Sequence, residues 1–263
     1  MRLFWEVAKL AFQRQLTYRA ATLAGLATNL FFGLLRAAVM IALYGARDNV
    51  AGISLQAAIT YTALTQALIA YLMIFGWYEL MHSVYSGEVA TDLLKPLSYF
   101  RFWLAQDVGR AVASLLLRGA PIIVVYALVI EIITPQSLGQ WLALTMSLLL
   151  SLLVSFAWRF LVNLSAFWTP NGRGVGRFAF GVLWVLSGFY LPLRYFPDWF
   201  QAFCHMTPFP SMLNTSVEIY LGLLTGAELW QALATQGMWV AVLTVACHVV
   251  LRAGVRSLVI QGG

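Results

Sequence analysis

The sequence predicts an all-α membrane protein of six transmembrane helices with both termini in the cytoplasm. Three observations carry that expectation. Of 263 residues, 61% are hydrophobic and only 10% charged, with a mean hydropathy of +0.80; a soluble domain carries about a quarter charged residues. Six apolar segments approach the roughly 20 residues a helix needs to cross the hydrocarbon core. Lysine and arginine gather between alternate segments, the signature of a fixed orientation.

The six segments are 20–43, 55–77, 112–133, 138–158, 178–193 and 229–251. The fourth is expected to continue as helix through Trp168, and the fifth is short, at 16 residues. Six crossings put the N-terminus, the 78–111 loop, the 169–177 loop and the C-terminal tail on one side. That side carries Arg2, Lys9, Arg14, Arg19, Lys95, Arg101, Arg110, Arg173, Arg177, Arg252 and Arg256; the other carries Arg47 and Arg194. Eleven against two places the first set in the cytoplasm. The net charge of +6 is thereby a topology signal, not a nucleic-acid footprint.

Three arginines fall inside the segments. Arg159 is expected to snorkel to the cytoplasmic interface. Arg36 and Arg118 sit deeper, where a charge faces a protein interior or an aqueous path; a structural contact and a pathway role are both open for each. The two cysteines, Cys204 and Cys247, are too far apart to suggest a disulfide framework or a metal site.

The first segment is preceded by an amphipathic helix. Arg2, Glu6, Lys9, Gln13 and Thr17 trace one polar stripe, with Leu3, Phe4, Val7, Leu10 and Phe12 around the rest. Charge every three or four residues breaks the apolar run a secretory signal would need, and the pattern suits a helix lying in the membrane interface. The domain organisation expected is an interfacial helix over 1–19 and one membrane domain over 20–263, with a cytoplasmic helix at 86–97 and outer helices at 195–225.

The densest charge lies in SGEVATDLLKPLSYFRFW, residues 86–103. Ser86 can cap a short helix with Glu88 in its first turn, and Pro96 ends it. The helix is expected to expose Glu88, Asp92 and Lys95, with Val89, Leu93 and Leu94 free to dock a cytoplasmic partner. Phe100, Phe102 and Trp103 are expected to form an aromatic belt at the interface. On the opposite side, Pro192, Pro197, Pro208 and Pro210 punctuate 187–222. Two short amphipathic helices are expected there, one with Trp199, Phe200 and Phe203 on a face. The other carries Ser211, Asn214, Thr215 and Glu218 as a polar stripe. Together they read as a re-entrant lid.

In this order along the chain, these features resemble the permease subunit of the ABC-2 family of ATP-binding-cassette exporters. GEVATDLLKPLSYF resembles the coupling-helix region of the small permeases that pair with a separate ATPase chain, and SGFYLPLRYFPDW the run into their outer helices. The resemblance implies that Gly87, Glu88, Asp92, Lys95 and Pro96 meet the ATPase subunit. It implies a second permease, a copy of this chain or a related one, enclosing a pathway with it in the lipid bilayer. Asn29, Arg36, Gln66 and Arg118 are the pathway candidates, and Pro192, Pro197, Trp199 and Pro208 the outer gate. No cofactor is expected in this chain, ATP and Mg belonging to the partner. The substrate is expected to be hydrophobic or amphipathic, exported across a bacterial inner membrane.

Other chemistries find little support. Neither Lys9 nor Lys95 sits in a GxxxxGK[ST] phosphate loop. The glycines of NGRGVGR, 171–177, follow no strand and are expected to form a flexible turn. HExxH, CxxC and GxSxG spacings are absent. A lipid-modifying enzyme would have to use Glu131, Glu218 or His205, which are unpaired in sequence. An ion-coupled transporter would favour buried carboxylates and internal repeats, whereas the charges inside the predicted spans are arginines.

Overall fold

A computed structural model describes residues 1–257; the last six positions of the predicted 20–263 domain lie outside the described residues. The fold is all-α apart from one small hairpin. Twelve α-helices are described: α1 (Arg2–Thr17), α2 (Arg19–Tyr44), α3 (Leu55–Leu72), α4 (Glu79–Tyr85), α5 (Val89–Leu93) and α6 (Tyr99–Ser114) come first. They are followed by α7 (Ala120–Val129), α8 (Leu138–Leu164), α9 (Gly172–Leu186), α10 (Asp198–His205), α11 (Asn214–Tyr220) and α12 (Gly226–Arg256). A π-helical turn, Leu115–Gly119, fuses α6 and α7 into one rod. The hairpin pairs β1 (Asn49–Val50) with β2 (Ile53–Ser54) across Ala51 and Gly52, both at positive φ, as a two-residue hairpin turn requires.

Four helices are long and apolar enough to cross a membrane: Arg19–Tyr44, Tyr99–Val129, Leu138–Phe167 and Gly226–Arg256. They match predicted segments one, three, four and six. Segments two and five become α3 and α9, of 18 and 15 residues. All residues of α3 from Ala57 to Leu72 are buried, including Thr60, Tyr61, Thr62, Thr65 and Gln66. These hydroxyls are tolerated because they are hydrogen-bonded: Thr60, Thr62 and Thr65 donate to carbonyls of their own helix and Tyr61 donates to Gly188 O.

The contacts divide the molecule into two ends. At the base lie α1, α4, α5, the α8–α9 turn and the C-terminal part of α12. At the top lie the hairpin, the 130–137 connection and α10–α11. Ser54 caps α3 there, its side chain accepting from the Ala57 N–H, and the Tyr44 hydroxyl bonds both Ile53 O and the Tyr195 hydroxyl.

Several boundaries differ from the sequence reading for identifiable reasons. The second segment stops at Leu72, not 77, because Met73 turns left-handed at φ 53°. The third begins at Tyr99, not 112, so that Asp107 and Arg110 are helical and buried. Phe100 and Trp103 form no interfacial belt. Both are buried, Phe100 against Phe156 and Phe160, Trp103 against Trp77. NGRGVGR is not a loose turn either: α9 starts within it, and the helix meets Tyr78 and Tyr85 of the base at Gly176 and Gly172. The polar stripe of α11 turns inward, all of Asn214–Tyr220 being buried, whereas α10 exposes Trp199 and Phe203.

α1 packs along α6 with Ala8 against Gly109, where no side chain fits between the backbones. Its polar stripe is exposed, and Leu3, Trp5 and Leu10 are exposed as well.

Candidate functional site

The charged stretch forms one helix shorter than expected, α5, set at a corner after a separate short helix, α4. Ser86 ends α4, its N–H bonding His82 O, and Gly87 makes the corner at φ +79°, a backbone conformation that favours glycine. Helix α5 then spans only Val89–Leu93. Asp92, expected to be exposed, is buried: it accepts from the Ser83 hydroxyl at 2.8 Å and from Lys95 Nζ at 2.6 Å. Lys95 also lies 3.8 Å from the Phe102 ring centroid, a cation–π contact. Asp92 and Lys95 thus lash α5 to α4 and α6, while Gly87, Glu88, Thr91, Leu94 and Pro96 remain on the outside. Leu94 is 85% exposed, a bare apolar side chain at the tip.

The same unit is tied to α9. The Tyr85 hydroxyl donates to Thr169 O and accepts from the Gly172 N–H, each at 2.8 Å. A Cβ on Gly172 would fall 2.5 Å from that oxygen, so the glycine is what lets the phenol seat on the first turn of α9. Tyr85 is the direct polar link between the α4–α5 unit and the base of α9.

Helix α3 ends inside the protein, where unpaired carbonyls are costly. Arg110 of α6 donates to Ala70 O and, at 2.8 Å, to Tyr71 O. Its charge is balanced by Asp107, which also receives both terminal nitrogens of Arg159 at 3.0 and 2.7 Å. Arg159 does not snorkel; it is fully buried. Ser155 donates to Leu72 O at 2.8 Å. Asn163 donates to Trp77 O at 2.8 Å and accepts from the Met81 N–H at 3.1 Å. These groups belong to one row on α8: Ser147, Ser151, Ser155, Arg159 and Asn163, each four residues apart and each buried. Towards the top the same row bonds α11 through Ser216.

Helix α9 also ends inside. Its exit carbonyls are held by two side chains and one backbone group: Gly188 O by the Tyr61 hydroxyl at 2.6 Å, Phe189 O by Arg36 at 2.6 Å with Tyr190 O beside it, and Ser187 O by the Asn214 backbone N–H at 3.2 Å. Arg36 rests 5.1 Å from the Phe189 ring centroid. It has no carboxylate partner among the described residues, and its Nη1 is buried without an acceptor.

The pathway candidates do not form one line. Asn29 and Arg118 share a cavity of about 370 Å³ at the base side of α2, α3 and α6. Gln66 is buried between α2 and α3, with Asn29 Nδ2 donating to its backbone carbonyl at 3.4 Å. Arg36 belongs to the top end of α9. Of the outer-gate candidates, Pro192 is buried and opens the turn Leu193–Tyr195, Pro197 precedes α10, Pro208 lies after α10 and Trp199 projects outward. Arg194 pairs with Glu218 at 2.7 Å, joining this segment to α11. No group of three or more metal-ligating side chains occurs among the described residues, and Glu131, His205 and Glu218 are not assembled into a site.

The sequence reading overlooked Asp107 and the α8 row, although the four-residue spacing of small polar residues through an apolar helix was visible. It also overlooked Tyr85, for which no local pattern exists.

No match is found among curated proteins or among solved structures. The family model described as "ABC-2 family transporter protein" matches residues 30–262, nearly the whole bundle. The chain therefore belongs to the ABC-2 transporter family, as a transmembrane permease component of an ATP-binding-cassette transporter.

Proposed function

We propose that this chain forms half of the translocation pathway of an ATP-driven exporter, with its base in the cytoplasm and α5 docked on a separate ATPase subunit. The observation that carries the reading is the construction of the base. Glu88, Thr91 and Leu94 are presented outward on a helix fixed from behind by Asp92 and Lys95. That helix is linked through Tyr85 to the foot of α9. A solvated connector would need neither the internal ion pair nor the bare leucine. Closure of the ATPase would push α5, and the Tyr85 bonds would pass the displacement to α9.

In this reading α3 and α9 complete six membrane crossings. Helix α1 lies in the interface, and the segment from Pro192 to Gly222 re-enters as an outer gate. A second permease, a copy or a relative, faces this one in a bacterial inner membrane, and the substrate is hydrophobic or amphipathic. ATP and Mg bind on the partner. The buried carboxylate Asp107 does not favour an ion-coupled mechanism, because two arginines occupy it on both oxygens.

The test is to tag the chain, extract it mildly from its native membrane and identify what co-purifies. A photo-crosslinker in place of Leu94 should give an adduct with a stoichiometric ATPase subunit. A chain that purifies alone under several gentle conditions, with no adduct at position 94, would overturn the reading.

A further inference from the structure

The base-side cavity has a feature that the coupling scheme does not use. It is bounded by the end of α1, the first half of α2, the end of α3 and the α6–π rod. Its volume of about 370 Å³ falls in the range of small-ligand pockets, roughly 300–1,000 Å³. Part of the wall is apolar, from Ile69, Met73 and Phe75; part is polar, from Gln15, Ser114 and Arg118.

Arg118 is the unusual member. Its only hydrogen bond among the described residues is from Nη2 to Ala21 O at 3.1 Å, and none of the four ion pairs includes it. A guanidinium has five donors, so most of its capacity is unspent. It is seated by construction: it lies against Gly25, whose Cβ would fall 2.8 Å from the guanidinium carbon. It also issues from the π-turn Leu115–Gly119, a distortion that commonly marks functional positions. The other charges lining the cavity are Arg110 and Glu79. Arg110 is already committed to Asp107 and to two carbonyls. Glu79 is exposed and makes no ion pair.

We propose that this cavity binds the anionic headgroup of an amphiphile, with Arg118 pairing with the anion, Gln15 and Ser114 as additional donors, and the apolar wall receiving the first part of a chain. The position suits such a ligand, beside the first turns of α2 and the end of α1, where a headgroup of the near leaflet would lie. The site stands on the cavity and its charge, independently of whether the occupant is cargo or a resident lipid.

The test uses the purified permease, with whatever subunits accompany it, in nanodiscs of phosphatidylcholine doped with photoactivatable phosphatidylglycerol. Labelling should concentrate on the segments around Gln15, Ser114 and Arg118, and should fall about tenfold in R118Q, the loss of one charge-assisted contact. R118K should retain most of it. Equal labelling by photoactivatable phosphatidylcholine in the unmodified protein would overturn the proposal, and that comparison decides the matter even if R118Q fails to fold. Unchanged labelling in a folded R118Q would overturn it as well. Displacement of the lipid by inorganic phosphate would overturn the amphiphile assignment in favour of a free anion.

Discussion

Helices α3 and α9 both stop inside the protein, and both have an arginine from a neighbouring helix donating to two successive carbonyls at or just beyond their ends. The difference lies behind the arginine. Arg110 is backed by Asp107, which it shares with Arg159, so the α3 end is a closed, buried network in which one carboxylate holds two guanidinium groups. Arg36 is backed only by an aromatic ring and leaves one nitrogen unsatisfied. Buried ionic networks are costly to break because each member removed strands another. A single guanidinium on two carbonyls can let go without leaving a partner charge behind. On the function proposed above, α3 is the better-anchored element and α9 the one expected to move, and Tyr85 ties the α4–α5 unit to the foot of α9.

Four substitutions probe that contrast, in order of expected effect. Asp107→Ala strands two guanidinium groups and should destabilise the protein by about 3–5 kcal/mol, read as loss of monodisperse protein in detergent and a large fall in thermal midpoint. Arg36→Met should cost less, about 1–3 kcal/mol for two carbonyls left without their donor, and should raise thiol labelling of a cysteine placed at Ser187. If the two substitutions cost the same, the distinction between the joints is wrong. Gly188→Ala introduces a side chain at φ +77°, 2.6 Å from the Tyr61 hydroxyl. It should cost about 1–2 kcal/mol from the left-handed backbone alone, with a smaller midpoint shift than Asp107→Ala. Tyr85→Phe removes two hydrogen bonds, one exposed and one part-buried, and should move the midpoint little, at most about 1.5 kcal/mol. It should nonetheless uncouple ATP hydrolysis from transport in the reconstituted complex.

Much of this was legible in the sequence, for physical reasons. Long apolar runs forced α2, α7, α8 and α12, and the lysine and arginine bias separated the two ends of the bundle. The charged stretch does hold a short helix, at Val89–Leu93, but its contacts differ from the reading. Asp92 and Lys95 look solvated in sequence, yet at i and i+3 they pair with each other, and Ser83 takes the remaining carboxylate oxygen. The Asp107 network was hidden because Asp107 and Arg110 fell within a stretch read as a loop, and because Arg159 was read as an isolated interfacial charge. Such a triad is assembled by α6 meeting α8, a long-range contact that no local pattern announces. The row Ser147, Ser151, Ser155, Arg159 and Asn163 was available as a clue that one face of α8 meets backbone, not lipid. Helix α11 teaches a related lesson: an amphipathic pattern says that two faces differ, not which one is buried, and here both are.

The central claim is that displacement at the base reaches α9 while α6 and α8 stay fixed together. Spin labels at the exposed positions Phe178 on α9 and Leu149 on α8 report the first, and labels at Arg101 on α6 and Leu149 the second. Both native cysteines are buried and unpaired, and burial pushes the Cys204 thiol pKa up, so neither competes strongly for label. In the purified complex, Mg and a non-hydrolysable ATP analogue should shift the 178–149 distance, leave the 101–149 distance unchanged, and lose the shift in Tyr85→Phe. Equal shifts in both pairs, or a 178–149 shift that survives Tyr85→Phe unaltered, would contradict the account.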